Sequence, residues 1–218
     1  NTDSVSEDFY QSLRFTIGDE THDYYYCPHF AKTAVKTDEM PPAPTGVSVR
    51  TPRHLYMLSL YPEYYNGRYS FHQELDLDYA VYTGYKLFPE DFTQVPIGRV
   101  DEPFNGLYDG GCRVIKNLVF SPLANTTRAY AGLFGYSSGT LRNIVYLMDP
   151  DRQNTVSLGN HSNLYIGGLA GGNAGSVINC AVAGVSLTGN AYTASIYIGG
   201  LVGLNQGEIS GCGAEGAA

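Results

Sequence analysis

Three segments of this chain align without a gap: GLFGYSSGTLRNI (Gly132–Ile144), GLAGGNAGSVINC (Gly168–Cys180) and GLVGLNQGEISGC (Gly200–Cys212), offset by 36 and 32 residues. A looser copy, FNGLYDGGCRVIKNL, ends at Leu118. Self-similarity at this period limits the chain to architectures in which each repeat is one structural unit that buries its apolar face against its neighbours. Aligned by columns, Ile115, Leu141, Val177 and Ile209 are apolar, whereas Lys116, Arg142, Ile178 and Ser210 are mostly polar. Asn117, Asn143, Asn179 and Gly211 follow, and then Leu118, Ile144, Cys180 and Cys212, apolar again. Two inward residues three positions apart do not share a face of a flat strand, where the period is two. A bend between them resolves the conflict, and Asn and Gly are the residues that tolerate left-handed backbone angles.

A helical repeat is excluded by composition, because each copy is dense in glycine at ~1 kcal/mol each relative to alanine in a helix. The whole chain holds 26 Gly and 19 Tyr and lacks Trp, a balance that favours strands and turns. The expected fold is all-β: a single-stranded parallel β-solenoid of about four coils, with Asn amides bonded up a corner ladder. Its glycines, Gly132, Gly135, Gly168, Gly171, Gly200 and Gly203, occupy tight corner and packing places, beside the corner residues Asn143 and Asn179. Cys180 and Cys212 hold equivalent places and stack as small buried side chains, with a disulfide between them as the alternative.

Two domains are expected. Residues 1–44 form an acidic, Tyr-rich extension with eight Asp/Glu against three Lys/Arg in the first forty residues, ending in the stiff connector PPAP (Pro41–Pro44). Residues 45–218 form the β-helix. VSVR (Val47–Arg50) alternates as a strand, and TPRHLYMLSLY (Thr51–Tyr61) has Thr51 to cap a helix and Pro52 at its first position. That short helix would cap an exposed end of the stack. In YSFHQELDLDYAVY, Phe71, Leu75 and Leu77 are expected on one face.

The formal charge of −8 argues against a nucleic-acid partner. No apolar run reaches the length of about eighteen residues that marks a membrane helix, so no membrane insertion is expected. No basic-then-apolar signal opens the chain, and the sequence stops inside a repeat. An excised fragment is therefore expected, its signal and anchor lying elsewhere.

GGLAGGNAGSVINC and GGLVGLNQGEISGC resemble the GLUG repeat of bacterial surface and secreted proteins. The stretch RTPRHLYMLSLYPEYYNGRYSFHQELDLDY, with PIGR, FNGLYDGGCRVIKNLVF and AGLFG after it, is similar to the lead-in of such repeats. The likeness covers residues 47–218. It implies a right-handed parallel β-helix on a bacterial cell surface, in an adhesin-like or uncharacterised protein. Gly211 departs from the Asn found at that corner in the earlier copies, and residues 1–44 have no counterpart.

The glycine runs do not make a nucleotide site, since no Lys-Ser/Thr pair follows them and no GxGxxG opens a helix. No cofactor is expected. Asp76 and Asp78 form an acidic pair that could serve as general acid and base or bind calcium. The reading preferred is structural, capping backbone N–H groups in the first coil, and the family lead-in carries a similar doublet. His22, Cys27 and His29 cluster without any standard zinc spacing, and no HExxH occurs, so no metal is expected. No GxSxG elbow is present either.

Tyrosine supplies the surface reading. YYY at 24–26, YPEYY at 61–65 and YTGY at 82–85 combine apolar faces with polar tips, which suit contact surfaces and sugar stacking. Tyr61, Tyr64 and Tyr65 are the candidate binding residues. Asn125 and Asn160 head glycosylation sequons, which in a bacterial protein are chance matches. The expectation is a non-enzymatic extracellular scaffold or adhesin-like module that contacts host or cell-wall glycan or protein. A carbohydrate-active β-helix enzyme would instead gather acids or bases on one flank across successive coils. A spacer without any ligand is the third reading.

Overall fold

The computed structural model describes residues 11–26, 30, 35–36, 39, 46–79, 94–118, 128–147, 154–156, 163–184, 187–189 and 195–216. The PPAP connector, Cys27, His29, YTGY at 82–85 and both sequons lie outside the described residues. The chain divides into two units, Asn1–Val47 and Ser48–Ala218.

In the first unit Gln11–Ile17 and Glu20–Tyr26 form an antiparallel hairpin, with Val35–Lys36 paired to the second strand. Gly18, at φ +64°, supplies the left-handed residue that a two-residue turn needs. Arg14 grips Asp23 across the pair at 2.7 and 3.0 Å, and this guanidinium holds the Asp23 carboxyl below the usual range.

The boundary falls within a strand, Gly46–Val49, after which the second unit continues with a helix, Pro52–Leu60. As expected, Thr51 is the N-cap, its Oγ1 accepting from the His54 N–H, and Pro52 sits in the first turn. Leu55 and Leu58 are buried, while Leu60 is exposed. Beyond the helix the unit is mostly strand, and every described strand pair from Ser70 onward is parallel.

Each strand of one copy pairs with its equivalent in the next. Sheet I contains Arg128–Ala131, Asn163–Gly167 and Ser195–Gly199. Sheet II contains Phe134–Ser137, Ala170–Asn173 and Val202–Asn205. Sheet III runs through Gly46–Val49, Ser70–Gln73, Leu107–Asp109, Thr140–Arg142, Ser176–Ile178 and Glu208–Ser210. Sheet IV runs through Leu77–Asp78, Val114–Lys116, Val145–Leu147, Ala181–Ala183 and Gly213–Glu215. A short pair, Asn154–Val156 with Leu187–Gly189, completes the set.

Three of the four corner residues are where the sequence put them. Asn143, Asn179 and Gly211 have φ of 53°, 51° and 62° and separate sheet III from sheet IV. Because the left-handed bend turns the chain, Leu141 and Ile144 both bury completely although they lie three apart. The amides form the expected ladder. Asn179 Nδ2 donates to Asn143 Oδ1 at 2.8 Å, and Asn143 Nδ2 donates to Asp109 Oδ1 at 2.9 Å. Gly211 ends it for lack of a side chain. A Cβ at Gly211 would meet Asn179 backbone only at 3.7 Å, and Asn tolerates its φ. Gly211→Asn should therefore extend the ladder and raise stability by about 1 kcal/mol. A urea midpoint that stays put or falls would count against a stabilising amide column.

The looser first copy takes a different register from the one its letters suggest. Leu141 pairs with Tyr108, and it is Tyr146 that pairs with Ile115. The Leu141 column is thus Tyr108, Leu141, Val177 and Ile209, and Lys116 lies beside Leu147 in another sheet from Arg142. The cause is a longer corner. Gly110–Arg113 takes the place of the two residues Asn143 and Ile144, with Gly111 and Cys112 both left-handed. Asn117 also has a positive φ of 58°, but it follows sheet IV, where Gly184 stands in the later copy.

Two further expectations are corrected. Leu75 is exposed, and Gln73 takes the inward place between Phe71 and Leu77, since Glu74–Asp76 is a bend separating two strands. Gly135, Gly171 and Gly203 are not corners; they lie inside sheet II strands and have no positive φ. Their role is close approach. A Cβ on Gly171 would sit 2.5 Å from the Ala131 nitrogen, and one on Gly203 2.7 Å from the Ile166 nitrogen, both in sheet I. Sheets I and II therefore meet backbone to backbone there.

The core changes character along the stack. Early copies pack aromatic rings: Phe104 lies 6.1 Å from Phe71, 5.8 Å from Tyr65 and 5.3 Å from Phe134. Later copies bury Leu164, Ile166, Leu169, Val177 and Val182. The buried hydroxyls are satisfied, Tyr108 against Gln73 Oε1 and Tyr79 against Gln94 Oε1. Burial holds both phenols well above their usual pKa.

Candidate functional site

Strand alternation in sheet I turns Leu164 and Ile166 inward and the tyrosine between them outward. Parallel register then places Tyr130, Tyr165 and Tyr197 directly above one another. Their rings stack with centroids 4.9 Å apart in both steps and interplanar angles of 16° and 10°. The spacing matches that of neighbouring strands, so the ladder follows from the backbone with no added strain. Tyr136, outward on sheet II, meets Tyr130 edge to face at 5.2 Å and donates its hydroxyl to Gln206 Oε1 at 2.8 Å. Gly172 lies beneath these rings, and a Cβ there would come within 2.5 Å of Tyr136 Cδ2. Burial raises the Tyr130 phenol, against the pull of the Arg128 charge. Arg128, Asn163 and Ser195 form the adjoining column of register partners. The surface is a strip of phenol edges and hydroxyls bordered by a guanidinium and an amide. It suits hydrogen bonding and ring-edge contact with a polar partner.

The outward face of sheet III carries a charged group of residues. His72, Asp109 and Arg142 are register partners on successive strands. Ser70 Oγ lies 3.1 Å from His72 Nε2. Asp109 receives Arg142 Nε at 2.9 Å, Asn143 Nδ2 at 2.9 Å and the Gly111 N–H at 3.0 Å. Burial pushes the Asp109 carboxyl up, but these hydrogen bonds outweigh it and hold the group below its usual range. Glu74 is held low as well, through hydrogen bonds from Ser48 and then Arg50. Both carboxylates are ionised and engaged, which suits support and not proton donation at neutral pH.

The residues singled out in the sequence fall elsewhere. Tyr64 and Tyr65 are 1% and 5% exposed and belong to the core, which corrects their reading as surface groups. They end a short 3-10 turn, Pro62–Tyr65, that directs both rings inward. Tyr64 packs on Tyr69, and the Tyr65 hydroxyl accepts from the Gly98 N–H at 3.2 Å. Burial pushes the Tyr65 phenol up to about 12. Tyr61 is half-buried, edge to face with Tyr64.

Asp76 Oδ1 accepts from the Val114 N–H at 2.8 Å, and Asp78 Oδ1 accepts from Asn117 Nδ2 at 3.0 Å. Both acids thus tie sheet IV's first strand to its second. Cys180 and Cys212 are free thiols stacked in the core column, the Cys180 N–H donating to Cys212 Sγ at 3.3 Å. Burial pushes the Cys180 thiol up to about 12. Among the described residues no group of three or more His, Cys, Asp or Glu could hold a metal ion.

The tyrosine ladder was legible in principle. YIGGL recurs at Tyr165 and Tyr197, and Tyr130 precedes GLFG. A one-residue deletion between Tyr130 and Gly132 hides the third member from a gapless alignment. A second amide ladder was also hidden. Asn173 is fully buried and donates to Asn205 Oδ1 at 2.8 Å, while each accepts from the glycine N–H two residues on.

The family model of the GLUG motif matches residues 194–218. No curated protein and no solved structure matches the chain.

Proposed function

We propose that this chain, which carries a GLUG motif over residues 194–218, is a non-enzymatic extracellular scaffold of an adhesin-like bacterial surface protein. In this reading residues 48–216 wind as a right-handed parallel β-helix, with the Pro52–Leu60 helix capping its first coil. In-register parallel pairing of every repeat supports the winding. The observation that carries the function is the tyrosine row of sheet I, which repeats one outward contact group at each coil and so presents it along a line. Its partner is a glycan or protein of the host or the cell wall, held by phenol hydroxyls together with Arg128.

The test keeps the stack and removes the hydroxyls. Tyr130, Tyr165 and Tyr197 are changed together to Phe, and binding to a glycan array and to bacterial cell-wall fragments is measured. Loss of about a hundredfold in affinity is expected at an unchanged melting temperature, as for three interface hydrogen bonds worth about 1 kcal/mol each. Full binding by the triple variant would sink the proposed surface, and no binding by the parent would favour a bare spacer.

A carbohydrate-active enzyme is the second reading, favoured by the Ser70–His72 contact beside Asp109 on sheet III. Turnover of a polysaccharide that His72→Ala abolishes would establish it over the scaffold.

A further inference from the structure

Strand alternation in sheet IV buries Leu77, Ile115, Tyr146 and Val182 and turns their neighbours outward. Register then arranges the outward residues in two columns. One is Val114, Val145, Ala181 and Gly213; the other is Asp78, Lys116, Leu147, Ala183 and Glu215. Across the middle strands this face is aliphatic: Leu147 is 36% exposed, Ala181 is exposed, and Val145 and Ala183 are half-buried. Charge stands toward its ends, Asp78 and Lys116 at one and Glu215 at the other. Sheet III, by contrast, sends His72, Asp109, Arg142 and Glu208 outward. A parallel sheet with aliphatic side chains on its second face normally has that face covered.

We infer that the outer face of sheet IV is a homodimer interface, on which a second copy of this chain packs face to face. The two-fold axis runs parallel to the strands and passes between Val145–Leu147 and Ala181–Ala183. Such an axis reverses the order of the strands and keeps each position along them. It therefore lays Val145 on the partner's Ala181, Leu147 on the partner's Ala183 and Lys116 on the partner's Glu215. Both aliphatic pairs set a larger side chain on a smaller one, and the outer pair sets a cation on an anion at the rim. Symmetry makes each of these contacts twice. The two sheets are then aligned and about 10 Å apart, as in a β-sandwich. Neighbouring placements are worse. An axis centred on Val145–Leu147 sets Asp78 on the partner's Glu215, and one centred on Ala181–Ala183 sets Leu147 on the partner's Glu215. An axis along the stack sets Lys116 on the partner's Val114. The inference uses the parallel register of sheet IV alone, a different face from the tyrosine row of sheet I.

The experiment measures the mass of the full chain in solution by sedimentation equilibrium over a range of concentrations. A concentration-dependent dimer is expected. Lys116→Glu and Glu215→Lys, each alone, should weaken it by about tenfold or more, because like charges then meet at both symmetric sites. An equimolar mixture of the two variants should recover the parent affinity, since opposite charges meet at both sites of the mixed dimer. That recovery requires both variants to be folded and tests the axis directly. Val145→Asp should weaken dimerisation by about thirtyfold or more with the circular dichroism unchanged. Ala181→Arg, at an exposed position, should do the same and decides the matter if Val145→Asp unfolds. A parent that stays monomeric at every concentration leaves the face to a different partner and overturns the inference. A dimer that tolerates Ala181→Arg overturns it as well, and so does a mixture that associates no more tightly than either charge variant alone.

Discussion

Gly171→Val is expected to abolish the native packing of sheets I and II. Its Cβ would lie 2.5 Å from the Ala131 nitrogen and 2.8 Å from the Tyr130 Cβ, and the first of these is backbone that no rotamer change relieves. The two sheets must separate, which opens the core around Leu164 and Ile166. A loss of more than about 4 kcal/mol follows, as for other gross overpacking of a core. In a chain of stacked repeats the damage spreads through nearest-neighbour interfaces, so the urea transition should broaden as well as shift. Gly213→Val is the control, since nothing lies within 4 Å of a Cβ there and its φ is ordinary. Its transition should stay within about 0.5 kcal/mol of the parent. Equal midpoints for the two variants would refute the close-approach role of Gly171.

Asp109→Ala should cost about 2 to 3 kcal/mol, because it strips three partners at once. Arg142, Asn143 and the Gly111 N–H all converge on this carboxylate, which anchors the corner ladder at its first rung. Asp109→Asn should cost less, since its remaining oxygen can serve Asn143 or Gly111. The same group sets a pH dependence. Its folded-state pKa is depressed, so its contribution is complete above the unfolded value of about 3.9 and is lost as pH falls through the folded value. Stability should therefore drop on acidification below about pH 4, and that drop should shrink in Asp109→Ala. An identical acid limb in parent and variant would remove Asp109 from this role.

The repeat made much of the fold legible. Asn143, Asn179 and Gly211 at equivalent places announced a left-handed bend, because few residues occupy that conformation and asparagine and glycine are foremost among them. Thr51 followed by Pro52 announced a helix start for an equally local reason. The first copy was misaligned because similarity of letters does not count corner residues. Ile115 and Leu118 mimic Leu141 and Ile144 in spacing, and only the pairing of Tyr108 with Leu141 reveals the two additional residues at Gly110–Arg113. Tyr64 and Tyr65 were misjudged for a related reason. Adjacent tyrosines on a strand must point apart, whereas on a 3-10 turn both can face one core.

What the sequence determined by itself is periodic and local: the strands, the corners, the helix cap and the glycine columns. Each depends on one residue's backbone preference or on the recurrence of one residue type, and recurrence is visible without coordinates. The tertiary structure alone decided which columns stack and which faces stay open. Stacking turned Tyr130, Tyr165 and Tyr197, scattered over almost seventy residues, into one outward ladder. It also closed the Tyr64 and Tyr65 rings into the core and left Ile198 and Ile209 exposed where their partners are buried. Burial depends on what lies across the core and in the next layer, and no single column of letters contains that neighbour.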